Sequence, residues 1–351
     1  MRSRPLLLGA LCGLLALLPA CLTGGRHRTH HGSAAMAQAS HGGNQGITLH
    51  VLPKVRYPEE FLVQVDRLVE MRSREGVLQG YQEQFLSDGQ GNFRLDLKGF
   101  RPGQGQGLVA PSPLQADTWE RRQRFLVHYR DLHLGPQRAA LGNYEFTSLP
   151  GTFPVAGRDG DKFEAVSRHG LGRVEFVVDR QTRLLLQWAF YSPGGELLGR
   201  LTTQTLQKNP DLNGVLWSTR AVDEAPYRGE IDNPILGFAP LKVRYAPDGF
   251  ALKRQRLLLS APTTGNLLLE VFSDGLRTLF VAQQKGDPAL IGEAYRSGLN
   301  GGKPARSLFA RESLVGAVRV FEGDVFGRSV FVVGPVGRDE LMTVFGSLSQ
   351  N

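Results

Sequence analysis

The sequence predicts an α+β chain: a strongly curved antiparallel sheet covered by helices, followed by a small C-terminal α+β domain. Three observations lead there. Residues 155–206 read as four consecutive antiparallel strands, because Gly, Asp and Pro cluster at 158–161, 169–172, 179–183 and 192–196, where the chain must reverse, and the runs between them alternate with period two. Ahead of this meander the order is helix, hairpin, helix; runs of like elements, rather than strictly alternating ones, are the mark of α+β folds. Behind it a proline-bearing stretch separates a second set of hairpins that ends in an amphipathic helix.

In chain order, Arg2 and Arg4 precede an apolar run at 6–18 that is too short to span a bilayer comfortably, so residues 1–20 read as a signal peptide. Leu18-Pro19-Ala20-Cys21 resembles a bacterial lipobox, although Pro19 is not the preferred residue there. Cys12 lies in the apolar run, so Cys21 would be the only cysteine of the mature chain, and it is the expected lipidation site. Ordinary secretion, with cleavage near Ala39, is the alternative. Residues 21–46 are rich in Gly, Ser, Ala and His and read as a flexible tether. The histidines there lack Cys or carboxylate neighbours at metal-binding spacing.

The N-terminal domain is expected over 47–216. Pro58 can open a helix whose apolar positions Phe61, Leu62, Val65, Leu68 and Val69 follow at three- and four-residue steps, ending before Gly76. A hairpin over 77–86 and 92–99 follows. The glycines at 100–113 lack the flanking elements of a dinucleotide fingerprint and read as a loop. Asp117 with Glu120 three residues on gives a capping-box start for a second helix reaching about His133. A strand at 144–148 leads into the meander, where Leu184, Leu186, Trp188 and Phe190 share one apolar face. Facing Phe61, Val65 and Leu68 of the first helix, those four side chains could line a groove for an acyl chain, or simply be packed core. Residues 217–241 read as a linker. The C-terminal domain, 242–351, carries strands at 250–260, 267–273 and 276–283, the latter two joined by a two-residue Asp274-Gly275 turn. A hairpin at 315–322 and 329–333 follows, and then a helix presenting Leu341, Val344, Phe345 and Leu348.

With 351 residues and 41% hydrophobic content the chain can bury a sizeable core. The net charge of +8 comes from arginines spread along its length, which suits an anionic partner such as acidic headgroups but points to no nucleic acid. No HExxH, GxSxG, P-loop, CxxC or EF-hand pattern occurs, so no catalytic residue, cofactor or metal site is expected. His128, His133 and His169 have no partnered nucleophile, and Asp159 and Asp161 are better explained by turn chemistry. What remains is binding.

Val155-Ala156-Gly157-Arg158, then VVDRQTRLLLQWAFYSPGGE at 177–196, then Ser273-Asp274-Gly275-Leu276, and finally Gly316-Ala317 with SVFVVGP at 329–335, together resemble the MucB/RseB family of sigma-E regulators over roughly 57–349. That resemblance implies a half-barrel like that of the lipoprotein carriers LolA and LolB in the first half. It also implies a C-terminal domain that contacts the periplasmic segment of an anti-sigma factor until a lipid or lipoprotein signal releases it. The expected protein is a non-enzymatic periplasmic lipoprotein, held to a membrane through Cys21, that senses acyl chains and restrains a sigma/anti-sigma pair. A lipid or lipoprotein carrier of LolA/LolB type and a structural envelope-assembly lipoprotein are the alternatives.

Overall fold

The computed structural model describes residues 46–72, 77–101, 107–111, 127, 130–217, 223–259, 266–285, 311–315 and 318–350. The expected leader, the tether with Cys21, and most of the helix expected from Asp117 lie outside them. Among the described residues no helix is long and apolar enough to cross a membrane.

Among the described residues the first sheet has nine strands: β1 (Ile47–Leu49), β2 (Leu62–Arg72), β3 (Leu78–Asp88), β4 (Phe93–Arg101), β5 (Tyr144–Val155), β6 (Arg158–Ser167), β7 (Arg173–Asp179), β8 (Leu185–Tyr191) and β9 (Leu197–Lys208). Their spatial order is β1-β5-β6-β7-β8-β9-β2-β3-β4, and every paired neighbour is antiparallel. The meander therefore falls where the turn residues placed it. At the tight β5–β6 turn, Ala156 and Gly157 both adopt positive φ, which matches the backbone twist of a short hairpin.

The helix expected after Pro58 is a correction. Only Pro58–Glu60 turns, as a 3₁₀ helix, and the chain then runs as the eleven-residue strand β2. Val63, Val65, Arg67, Val69 and Met71 are buried, and the even-numbered residues between them are more exposed. A strand template fits those odd positions and a helix template fits Phe61, Val65, Leu68 and Val69. Long-range pairing with β3 and β9, which satisfies the backbone on both sides, decides for the strand.

The second sheet has seven strands: β10 (Asp223–Pro226), β12 (Ala251–Leu259), β13 (Leu267–Ser273), β14 (Thr278–Lys285), β15 (Arg311–Val315), β16 (Val318–Val325) and β17 (Arg328–Gly334), in the order β10-β12-β13-β14-β17-β16-β15. β11 (Lys242–Val243) pairs separately with β18 (Leu348–Ser349). β10 lies inside the stretch expected to be a linker, so part of that stretch is built into the sheet. The helix Arg338–Gly346 packs Leu341, Val344 and Phe345 onto Leu279, Val281, Val330 and Val332.

The two sheets meet at the β13–β14 turn. Ser273 pairs with Thr278, so the connection is the four-residue Asp274–Arg277 turn, not the two-residue one expected. Its tip plugs into the first sheet: Leu276 joins the core around Tyr144, Phe146 and Leu132. The Gly135 amide donates to the Gly275 carbonyl at 2.7 Å, the Tyr144 hydroxyl to Asp274 Oδ2 at 2.5 Å, and Asn143 Nδ2 to the Asp274 carbonyl at 2.9 Å. Buried Arg277 pairs with Asp274 and donates to the Leu171 carbonyl at 2.8 Å. A short helix, Gln137–Asn143, supplies Ala140 against the tip.

Candidate functional site

Strand register lays one face of the first sheet out in rows. Leu206, Val65, Phe85 and Leu95 form one row across β9, β2, β3 and β4; Thr203, Arg67, Glu83 and Leu97 form the next; Leu201, Val69 and Tyr81 the one after. The middle row thus sets Arg67 and Glu83, 3% and 0% exposed, between two largely apolar rows. Such charges persist in a core only when partners replace water.

The partners come from the segment laid over this face. Arg130 donates from Nη1 and Nη2 to the two Glu83 oxygens at 2.8 and 2.7 Å, and from Nε to Asp131 Oδ1 at 2.8 Å. Asp131 Oδ2 accepts from Arg67 Nη1 at 2.8 Å. Arg67 Nη2 lies 2.6 Å from Glu83 Oε1, a charge contact without hydrogen-bond alignment. Two cations and two carboxylates thereby close into a neutral ring. Burial alone would favour neutral Arg130, but the charges of Asp131 and Glu83 outweigh it and hold its pKa above the ordinary value.

Beside the ring lies a hollow of about 20 Å³, space for about one water. Leu185, Trp188, Leu201 and Thr203 line it from the sheet, with Arg67 beside them. Asp131, Leu132 and His133 come from the overlying segment, and Tyr57, Pro58 and Glu59 from the 3₁₀ turn. The two covers are tied together: the Leu134 amide donates to the Tyr57 hydroxyl at 2.7 Å, His133 Nε2 lies 3.2 Å from Glu59 Oε1, and the Tyr57 and His133 rings are 4.4 Å apart. Burial pushes the Tyr57 phenol up to about 12. At His133 burial acts to lower the pKa, but the hydrogen bond and charge of Glu59, with Asp131 behind them, raise it overall.

The seven residues expected to line one groove are distributed. Trp188 and Phe190 lie on the row-bearing face, packed with Val174, Phe176, Leu201 and Val69. Leu184 and Leu186 belong to a separate cluster with Val155 and Val177. The cause is a β-bulge: Val177 pairs with Gln187 but Val178 with Leu185, so Leu186 is an extra residue and the alternation changes phase there. Val65 packs with Phe85 and Leu95, and Phe61 touches both that cluster and the Leu184 one. Leu68 belongs to the opposite face of β2, among Gln64, Asp66 and Glu70. A second hollow, about 150 Å³, lies near the Val155 cluster between Phe153, Lys162, Glu175 and Gln187.

Among solved structures the chain is similar to MucB. One MucB crystal structure is 19% identical, with 84% of this chain and 94% of that chain covered and a TM-score of 0.47. MucB in complex with MucA(peri) is 18% identical, with the same coverage and a TM-score of 0.44. The MucA/MucB complex of Pseudomonas aeruginosa is 17% identical, covering 82% and 93%, with a TM-score of 0.43. No family model and no curated protein matches the chain. MucB is a name borne by the family that the sequence motifs resemble.

Sequence reasoning missed the ring of Arg67, Glu83, Arg130 and Asp131. Its local trace was present: Val63, Val65, Val69 and Met71 alternate, with Arg67 as the single charged interruption. Its partners come from positions 16 and 63 to 64 residues further on, a separation that no local period reveals.

Proposed function

We propose that this chain is a non-enzymatic envelope protein of the MucB/RseB type. In this reading the Trp188 face of the first sheet receives an acyl chain of a lipid or lipoprotein, the second sheet engages the periplasmic segment of an anti-sigma factor, and Cys21 carries the membrane anchor. The observation that carries it is the joint between the sheets. Ser273-Asp274-Gly275-Leu276, one of the motifs by which the sequence resembles that family, is the turn whose tip is seated in the first sheet's core. A ligand at the first sheet and a partner at the second would thus share a buried contact.

The hollow beside Trp188 is far too small for an acyl chain as it stands, since ligand pockets run to about 300–1,000 Å³. Binding therefore requires the Tyr57–Glu59 and 131–134 covers to part. Linkage follows: a ligand that prefers the parted form shifts the partner equilibrium by its differential affinity and by nothing more.

Affinity capture with the full tagged chain from detergent-solubilised envelope tests the reading. The expected catch is a membrane protein whose cytoplasmic part binds a sigma factor, released when acyl lipid is added. Capture of exchanging lipoproteins alone would favour a carrier, for which the apolar rows around Trp188 would be the purpose; an empty capture would contradict both.

A further inference from the structure

Two of the residues that line the hollow carry a buried N–H without an acceptor. Trp188 and Arg67 both line it, at 1% and 3% exposure, and neither Trp188 Nε1 nor Arg67 Nε has a hydrogen-bond partner among the described residues. Buried N–H groups are almost always paired, and one left bare is a standing cost to the fold. Two at one hollow define what would complete it: an oxygen with lone pairs to spare.

Charge narrows the class. Arg67 and Arg130 are balanced by Glu83 and Asp131, and Glu59 at the rim faces His133. Among the described residues that line the hollow, no surplus of positive charge remains to offset the desolvation of a carboxylate or phosphate. The apolar walls, Leu185, Leu201 and Leu132, suit a group whose remainder is hydrocarbon.

We propose that the hollow seats the neutral carbonyl oxygen of an ester- or amide-linked acyl chain, accepted by Trp188 Nε1–H and Arg67 Nε–H. This rests on the acyl-binding reading above and sharpens it: the protein selects acylated molecules over free fatty acids. The carbonyl enters the space beside the ion-pair ring, and the chain follows where the Pro58–Glu59 and His133 sides part. Selection by donors that would otherwise stay unpaired is the strong kind, because an analogue lacking the oxygen leaves both bare.

The test uses the full chain, ¹⁵N-labelled at tryptophan, titrated with four probes: palmitoyl-lysophosphatidylcholine (an ester), palmitoylethanolamide (an amide), the hexadecyl ether analogue of the first, which lacks the carbonyl, and palmitate. The ester, the amide or both bind about tenfold more tightly than the ether and palmitate, and the Trp188 indole N–H resonance moves downfield only with the carbonyl probes. The two carbonyl arms decide whether a glycerolipid-type or an N-acyl ligand fits better. Trp188→Phe, which keeps an aromatic ring and leaves the Arg67 donor, reduces the preference to about threefold while still binding the ether. Equal binding of ester and ether, tighter binding of palmitate, or an unmoved Trp188 resonance overturns the carbonyl seat and leaves acyl binding standing. Failure of all four probes to bind removes the acyl reading as well.

Discussion

Gly275→Ala perturbs the joint between the two sheets at its tightest point. Gly275 has φ +101°, and an added Cβ would stand 2.6 Å from Ala140 N, 2.8 Å from Ala140 Cα and 3.0 Å from the carbonyl carbon of Ala139. Those are backbone atoms of the helix Gln137–Asn143 and cannot rotate away. Forcing an L-residue into this region costs about 1–3 kcal/mol, and overpacking costs about 1–3 kcal/mol more. Together that is about 2–6 kcal/mol. Gly327→Ala is the control: φ is +74° but its Cβ would meet nothing within 4 Å, so only the conformational part, about 1–2 kcal/mol, is lost. Urea unfolding read by tryptophan fluorescence gives both differences. Hydrogen exchange at the Gly135 amide, which donates to the Gly275 carbonyl, locates the damage. A Gly275→Ala protein no less stable than Gly327→Ala, with the Gly135 amide still protected, would refute the seated tip.

Glu83→Gln leaves two buried arginines with the single carboxylate of Asp131 and should destabilise by about 3–5 kcal/mol, read as a lower urea midpoint; an unchanged midpoint would mean that the ring is not the closed network described. His133 has a folded pKa above its ordinary value of about 6.5, so its contribution is fully present below that value and fades as pH rises through the raised one. Tyr57, whose phenol is pushed up to about 12, stays neutral across this range. Exchange of the Leu134 amide, corrected for intrinsic base catalysis, should therefore quicken as pH rises past that point, and His133→Gln should flatten the profile. Cys21→Ser should move the protein from the membrane to the soluble fraction; unchanged fractionation would remove the lipid anchor.

The meander was legible because its turns are written in local chemistry: Gly157, Gly170, Gly172 and Gly195 all take positive φ at the reversals between its strands. The terminal helix was legible because Leu341, Val344 and Phe345 satisfy a helical period and no other. β2 was not, since Phe61 to Met71 contains apolar residues at both three-to-four and two-residue steps, and only pairing with β3 and β9 chooses between them. The face through Trp188 was half legible. Period two grouped Leu184 with Phe190 correctly for an ideal strand, but a bulge at Leu186 depends on the neighbour's register, which one strand's sequence does not contain. At Asp274-Gly275 the turn dipeptide was recognised, while its length was set by Leu276 and Arg277 being drawn into contacts with the other sheet.

Acyl ligands of a sensor or carrier of this kind must enter beneath the covers at Trp188. Glu59 and His133 hold those covers together at 3.2 Å, so Glu59→Cys with His133→Cys, in a Cys12→Ser and Cys21→Ser background, can be joined by a short bifunctional thiol linker. The measurement is titration of this delipidated chain with a fluorescent diacyl lipid before and after linking. Saturable binding before linking, lost afterwards and restored by a cleavable linker's reduction, is the predicted result. Equal binding in the linked and free forms, or none in either, would contradict it.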